Sequence, residues 1–210
     1  MKHIDITFDL ETAALCPTAA PLSIGAVAWD RNGTGTPFIE DIPDFFLGID
    51  LTSCFCEELT IDACTQSWWA KQSKEAKDAL VNCKKSPIKA AIKSFFDWIG
   101  TVIETTGAES VCLWSQGSDF DIAILRNICY VLDIDIPIRY TNFRDHRSVF
   151  LELAARRLKD TDGSCWPAKA PCKAYDLVER YKDGEGVDHT PVFDCKKSIY
   201  STWQMMNMVL

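Results

Sequence analysis

His3-Ile4-Asp5-Ile6-Thr7-Phe8-Asp9-Leu10-Glu11-Thr12 alternates apolar Ile4, Ile6, Phe8 and Leu10 with polar His3, Asp5, Thr7, Asp9 and Glu11. A period of two predicts a β-strand, on which Asp9 and Glu11 share a face. Paired carboxylates repel, and they are costly to desolvate unless a cation lies between them. Oxygen-only donors favour hard ions, Mg²⁺ or Mn²⁺. The same pattern also fits an exposed edge strand with an acidic outer face, so Asp9 and Glu11 alone do not choose between the two.

Outward from this strand, Pro21 to Asp30 reads as a second strand closed by the turn Arg31-Asn32-Gly33, and Phe45 to Leu51 as a third. Together they predict an antiparallel meander. Thr60 is the expected cap of a helix from Ile61 to Lys71, and a short helix follows from Ser73 to Val81. Ser86-Pro87 opens a long amphipathic helix that stops at Gly107. Ser110 to Ser115 is a short apolar run, expected to be a buried strand parallel to the first. Gln116-Gly117 then turns into a helix capped by Ser118 and running from Asp119 to Asp133. Ile136 to Thr141 is a candidate strand, Asp145 to Leu158 a helix, Lys159 to Lys173 a surface loop and Ala174 to Tyr181 a short helix. Asp183-Gly184-Glu185-Gly186 reads as a flexible approach to a final helix from His189 towards Met208. The order implies an α/β fold, a mixed sheet flanked by helices.

With 210 residues, 47% of them hydrophobic, the chain suffices for one well-filled core, and residues 1–210 are expected to form one domain. No apolar run is long enough to span a bilayer, and no secretory signal pattern opens the chain, so a cytoplasmic protein without membrane association is expected. The ten cysteines form no C-x-x-C pair; they read as buried structural residues rather than a disulfide or zinc framework. A net charge of −8 argues against a broad basic surface for gripping long nucleic acid. It leaves open a metal-filled acidic cleft that holds a strand end.

Asp121 falls in the first turn of a helix that leaves a strand, the place where ligands gather in open α/β sheets. Asp119 and Asp121 also suit the helix dipole as ordinary first-turn acids. His189 and Asp194, five residues apart, would not share a face of one regular helix. They can converge if His189 sits before or at the helix start; a solvent-exposed helix start is the alternative.

Three segments taken together carry a resemblance: Phe8-Asp9-Leu10-Glu11-Thr12, Trp114-Ser115-Gln116-Gly117-Ser118-Asp119-Phe120-Asp121, and His189-Thr190-Pro191-Val192-Phe193-Asp194. In order and spacing they resemble the three motifs of the DEDDh (DnaQ-like) 3′–5′ exonucleases. Leu22 to Ala28, Trp68-Trp69-Ala70-Lys71-Gln72-Ser73 and Asn142 to Arg147 are similar to the branch of phage exonuclease A and the small mycobacterial-type exoribonucleases. The resemblance implies a ribonuclease H-like fold. It implies that Asp9, Glu11, Asp121 and Asp194 hold two divalent cations, Mg²⁺ or Mn²⁺, and that His189 is the general base. An imidazole, with an ordinary pKa of about 6.5, can take a proton from the attacking water at neutral pH. Two ions about 4 Å apart clamp both the attacking and the leaving oxygen of an in-line displacement at phosphorus.

Thr12, Leu15, Trp69, Gln72 and Gln116 are the expected substrate contacts, with Leu15 where relatives place an apolar wedge under the terminal base. Two positions depart from the family pattern: Ala13-Ala14 stand where many members have a glycine-containing pair, and Gln116 and Ser118 stand where Asn and a small residue are common. Trp68 and Trp69 could stack on a base or be divided between core and surface. Arg144 and Arg147 could meet phosphate or form local ion pairs, and His146 reads as a surface residue.

The expected activity is release of nucleoside 5′-monophosphates from single-stranded or 3′-overhanging RNA or DNA, with RNA favoured and a homodimer as the expected assembly. The rivals are a catalytically silent module of the same fold that binds nucleic-acid ends, and a phosphohydrolase of free nucleotides.

Overall fold

The computed structural model describes residues 2–158, 173–182 and 186–209. Its core is a six-stranded mixed sheet in the order β4-β3-β2-β1-β5-β6. The strands are β1 (His3–Thr12), β2 (Pro21–Trp29), β3 (Phe45–Ile49), β4 (Lys85–Ser86), β5 (Ser110–Ser115) and β6 (Phe143–Asp145). The expected antiparallel meander is β1-β2-β3, and β5 lies parallel to β1 as its composition predicted. Lys85–Ser86 adds a short parallel strand beside β3 that the sequence did not suggest.

β1 is central, so both its faces are covered. Ile4, Ile6, Phe8 and Leu10 pack into the main core with helix α4 (Ile88–Thr106) and helix α5 (Ala123–Leu132). The amphipathic spacing of α4 buries Ile88, Ile92, Phe95, Ile99 and Val102, and Gly107, at φ 64°, stops it in the left-handed conformation. Helices α6 (His146–Leu158) and α7 (Pro191–Val209) roof the opposite, polar face of β1.

That polar face is interior, contrary to the edge-strand alternative. Asp5 is fully buried, and its carboxylate accepts from Arg31 Nη2 (2.6 Å) and Nε (2.7 Å) and from Trp114 Nε1 (2.6 Å). Thr7 Oγ1 accepts from Trp29 Nε1 at 3.0 Å and bonds His146 Nε2 at 2.8 Å. The His146 ring is closed in by the indoles of Trp29 and Trp114, and its Nδ1 meets Thr202 Oγ1 at 2.8 Å. His146 is therefore a core residue, which corrects the surface assignment. Burial drives its pKa down to about 3, so it stays neutral.

Other boundaries shift for identifiable reasons. Leu51–Cys56 is a helix, α1, capped by Asp50, which accepts from Thr52 N, rather than the end of β3. Helix α2 (Ala63–Ala70) is capped by Asp62 through Cys64 N and Thr65 N, and Thr60 instead bridges to Ala19. Helix α3 (Lys74–Asn82) starts at Ser73 as cap. Ile136 to Thr141 forms no strand; a 3₁₀ turn at Tyr140–Asn142 leads directly into β6. A 3₁₀ turn, Lys173–Leu177, stands where a short helix was expected. The loop expected at 159–173 falls, except for Lys173, outside the described residues, as do residues 183–185 of the expected flexible approach.

The eight described cysteines are free; Cys56 and Cys64 are exposed, so the reading as buried residues fails for those two. Among the described residues no helix is long and apolar enough to cross a membrane.

Helix α7 can reach β1 because Gly25 lies beneath its first turn. Gly25 pairs with Asp9 across the β1-β2 ladder, and a β-carbon there would stand 2.6 Å from Pro191 Cβ and 2.9 Å from Val192 N. Gly25→Ala should therefore push the start of α7 off the sheet and lower the unfolding free energy by about 1–3 kcal/mol. Urea denaturation of the wild type and variant measures this.

Candidate active site

The carboxylates come from three elements. Asp9 and Glu11 project from the C-terminal half of β1, beside an irregularity in its pairing with β2 at Glu11/Thr12. Asp121 sits in a π-helical turn, Ser118–Ile122, between β5 and α5; such widened turns re-aim a side chain. The expectation was a regular helix capped by Ser118. Asp121 is 4% exposed, and its Oδ1 accepts from Leu10 N at 3.2 Å, which ties the second segment directly to β1. Asp194 stands in the first turn of α7, with Asp194 N donating to Thr190 O.

His189 precedes α7, as convergence with Asp194 requires. Its backbone is left-handed, at φ 64°, and its N–H donates to Asp194 Oδ2 at 3.0 Å. Ligand atoms of Glu11, His189 and Asp194 all lie within 4.8 Å of one another. The His189 ring meets Trp68 edge-on, with centroids 4.9 Å apart.

Burial and mutual repulsion dominate the electrostatics. Glu11 is raised to about 8 by burial first and then by Asp194 and Asp121. Asp9 is pushed well above the ordinary carboxylate range by burial, then by Asp121, Glu11 and Asp194. Burial also raises Asp121, against the Leu10 N–H and the nearby Arg147 charge, which favour its ionised form. Among the described residues Lys197 is the cation acting on Asp9 and Glu11, as Arg147 is on Asp121, and the Lys197 Nζ is 2.6 Å from both Asp194 Oδ1 and Asp188 Oδ1. One ammonium cannot neutralise this many acids. An all-oxygen donor set with surplus negative charge fits divalent Mg²⁺ or Mn²⁺.

Three clefts open at the carboxylates: one of about 390 Å³ runs from Asp9, His189 and Asp194 past Lys197 towards α6 and α7, and the other two share a wall. One of about 580 Å³ is lined by Leu10, Glu11, Thr12, Leu15, Trp68, Trp69 and Phe120. The other, about 510 Å³, shares Leu10, Glu11, Leu15 and Phe120 and extends past Asp9, His189 and Asp194 to Gln116, Gly117, Asp121 and Arg147.

The structure thus brings Thr12, Leu15, Trp69 and Gln116 to the clefts. Trp69 Nε1 donates to Thr12 O at 2.9 Å, so its polar handle braces the loop after β1. Thr12 Oγ1 is spent on Ala14 O at 2.8 Å. Leu15 is 78% exposed at the rim. Gln72 is not brought to them: it lies beyond the end of α2, donating its side-chain amide to Trp68 O at 3.1 Å. The sequence reading missed Lys197 and the cleft role of Phe120. Lys197 was legible as a cation three residues after Asp194, a spacing that pairs charges on a helix.

The domain family described as "3'-5' exoribonuclease Rv2179c-like domain" matches residues 4–166. No curated protein matches the chain. Among solved structures, cell-death related nuclease 4 (CRN-4) superposes with a TM-score of 0.63 at 16% identity, over 98% of this chain and 64% of that one. The nuclease domain of 3'hExo, a DEDDh family member bound to rAMP, gives 0.60 at 13% identity, over 98% and 92%. At such identities the likeness is one of fold, the ribonuclease H-like nuclease fold.

A carboxyl whose pKa is higher in the folded state than in the unfolded one holds its proton better when folded. Stability therefore falls as pH rises from the ordinary value of Glu11, 4.5, to its folded value of about 8. Thermal melts in EDTA should show Tm dropping by roughly 5–10 °C across that window. Glu11→Gln should flatten the slope, and added Mn²⁺ should raise Tm more at the alkaline end than at the acid end.

Proposed function

Because the chain belongs to the Rv2179c-like 3′–5′ exoribonuclease domain family, we propose that it is a metal-dependent 3′–5′ exonuclease that favours RNA over DNA. The observation that carries the reading lies outside the matched residues: His189 and Asp194, beyond residue 166, stand against Glu11 within 4.8 Å. A silent binding module has no need to bury repelling carboxylates at such cost. The family description supports RNA as substrate, as does the rAMP bound to the 3'hExo nuclease domain, although that likeness itself is one of fold.

In this reading Asp9, Glu11, Asp121 and Asp194 hold two divalent cations, Mg²⁺ or Mn²⁺. Bound there, the ions supply positive charge to the phosphate and to the attacking and leaving oxygens. The chain supplies the rest. The terminal base enters the cleft between Leu15, Trp68 and Phe120, where stacking on an aromatic face is tolerant of sequence. Trp69 holds the Thr12 carbonyl and thereby the loop that flanks the terminal sugar. His189 takes the proton of the attacking water. The new P–O bond forms as the bond from phosphorus to the 3′-oxygen of the preceding nucleotide breaks, and that oxygen leaves with a proton. The products are a nucleoside 5′-monophosphate and a strand one residue shorter.

The left-handed backbone at His189 and its contact with Trp68 give the histidine its orientation and suit it to gate the cleft. A frayed or single-stranded 3′ end needs only these local contacts, in keeping with a net charge of −8.

Oligoribonucleotides labelled at the 5′ or the 3′ end, incubated with Mg²⁺ or Mn²⁺, test the reading. The 5′ label should yield a ladder shortening from the 3′ end, and the 3′ label should appear at once as mononucleotide. His189→Ala should cost about 10²–10⁴-fold in rate, and Asp9→Ala should abolish laddering. Binding without cleavage would select the silent module, and turnover of free nucleotides alone the phosphohydrolase.

A further inference from the structure

Arg147 is exposed in the first turn of α6, yet its position is closely defined. Asp145 accepts from Ser118 N (3.1 Å) with one oxygen and from Arg147 N (2.9 Å) with the other, which staples the 117–118 turn to the start of α6. Both carboxylate oxygens of Asp145 are thereby engaged by backbone, and no salt bridge forms between it and Arg147 among the described residues. The guanidinium instead lies across Gly117, where a β-carbon would be 3.6 Å from Nη1 and 3.9 Å from Cζ and Nη2. It faces the cleft that contains Asp9, Asp121 and His189, and it is close enough to Asp121 to favour that group's ionised form.

The two clefts that share a wall give the groove a direction. Leu15 and Phe120 line both, Trp68 and Trp69 line only the first, and Arg147 lines only the second. A strand with its last base among the tryptophans and its last phosphodiester over the carboxylates continues towards Gly117. There Arg147 is the cation it meets, presenting a planar fork suited to phosphate.

We infer that Arg147, seated on Gly117, binds the phosphate one step 5′ of the scissile one and so makes the site prefer oligonucleotides to single-nucleotide phosphodiesters. This rests on the exonuclease reading and adds a subsite to it.

Two substrates separate the scissile phosphate from the upstream one: a short oligoribonucleotide, and the p-nitrophenyl ester of a nucleoside 5′-monophosphate, which has no upstream phosphate. Arg147→Gln should lower the ratio of kcat/KM for the oligonucleotide over that for the ester about tenfold, through KM. Fluorescence anisotropy with the labelled oligonucleotide in Ca²⁺ should show weaker binding, with a salt slope shallower by about 0.7, one contact on a single strand. Arg147→Lys should keep the slope and recover only part of the affinity.

An unchanged ratio and salt slope, or equal losses on both substrates, would overturn the subsite. If the wild type cleaves neither substrate, the exonuclease reading falls, and the anisotropy arm alone still judges Arg147. Failure of the wild type to bind the oligonucleotide at all removes both.

Discussion

The structure depends on a concentration of negative charge that its own side chains do not balance. Asp9, Glu11 and Asp121 are crowded between the central strand and helix α7, and among the described residues Lys197 is the one nearby ammonium. Removing a carboxylate from water without a partner is among the costliest steps in folding. The fold tolerates it here because the surrounding layers are strongly held: α4 and α5 against one face of β1, α6 and α7 against the other. The pocket is a local concentration of like charge held in place by the packing around it.

The polar file along β1 shows how one strand serves two purposes. At its start, Asp5 is neutralised in place by the Arg31 fork and the Trp114 indole. In the middle, Thr7 and the neutral His146 join β1 to α6 and α7 through hydroxyl bonds. At its end, Asp9 and Glu11 have no such side-chain partner among the described residues. Asp5 and Asp9 share a face and a strand and differ only in what was built around them. The first makes a structural ion pair; the second opens onto a cleft.

Much of this was legible in the sequence, in parts. Alternation in residues 3–12 identified the strand and paired Asp9 with Glu11, whereas the spacing of His189 and Asp194 left a solvent-exposed helix start as the alternative; the left-handed His189 before α7 is what lets the two meet. The three-motif resemblance supplied what periodicity cannot, the meeting of β1, the turn after β5 and the start of α7. His146 was misread because a histidine flanked by Asp145 and Arg147 looks solvated; its partners Thr7 and Thr202 are distant in sequence. Gln72 was misplaced because proximity to two tryptophans does not reveal which way a residue at a helix end faces. The π-helical turn at Asp121 was not read from the sequence, and the partner of its side chain, Leu10 N, is 111 residues away.

The dependence of α7 on Gly25 has a consequence for how the molecule comes into being. Ribosomes deliver residue 9 long before residue 194, so β1, β2 and β5 can pair while His189 and Asp194 are still unmade. During that interval the trough in β2 above Gly25 lies open, and the early acids lack both their last companion and their imidazole. The seat for the start of α7 is therefore complete before the segment that fills it exists.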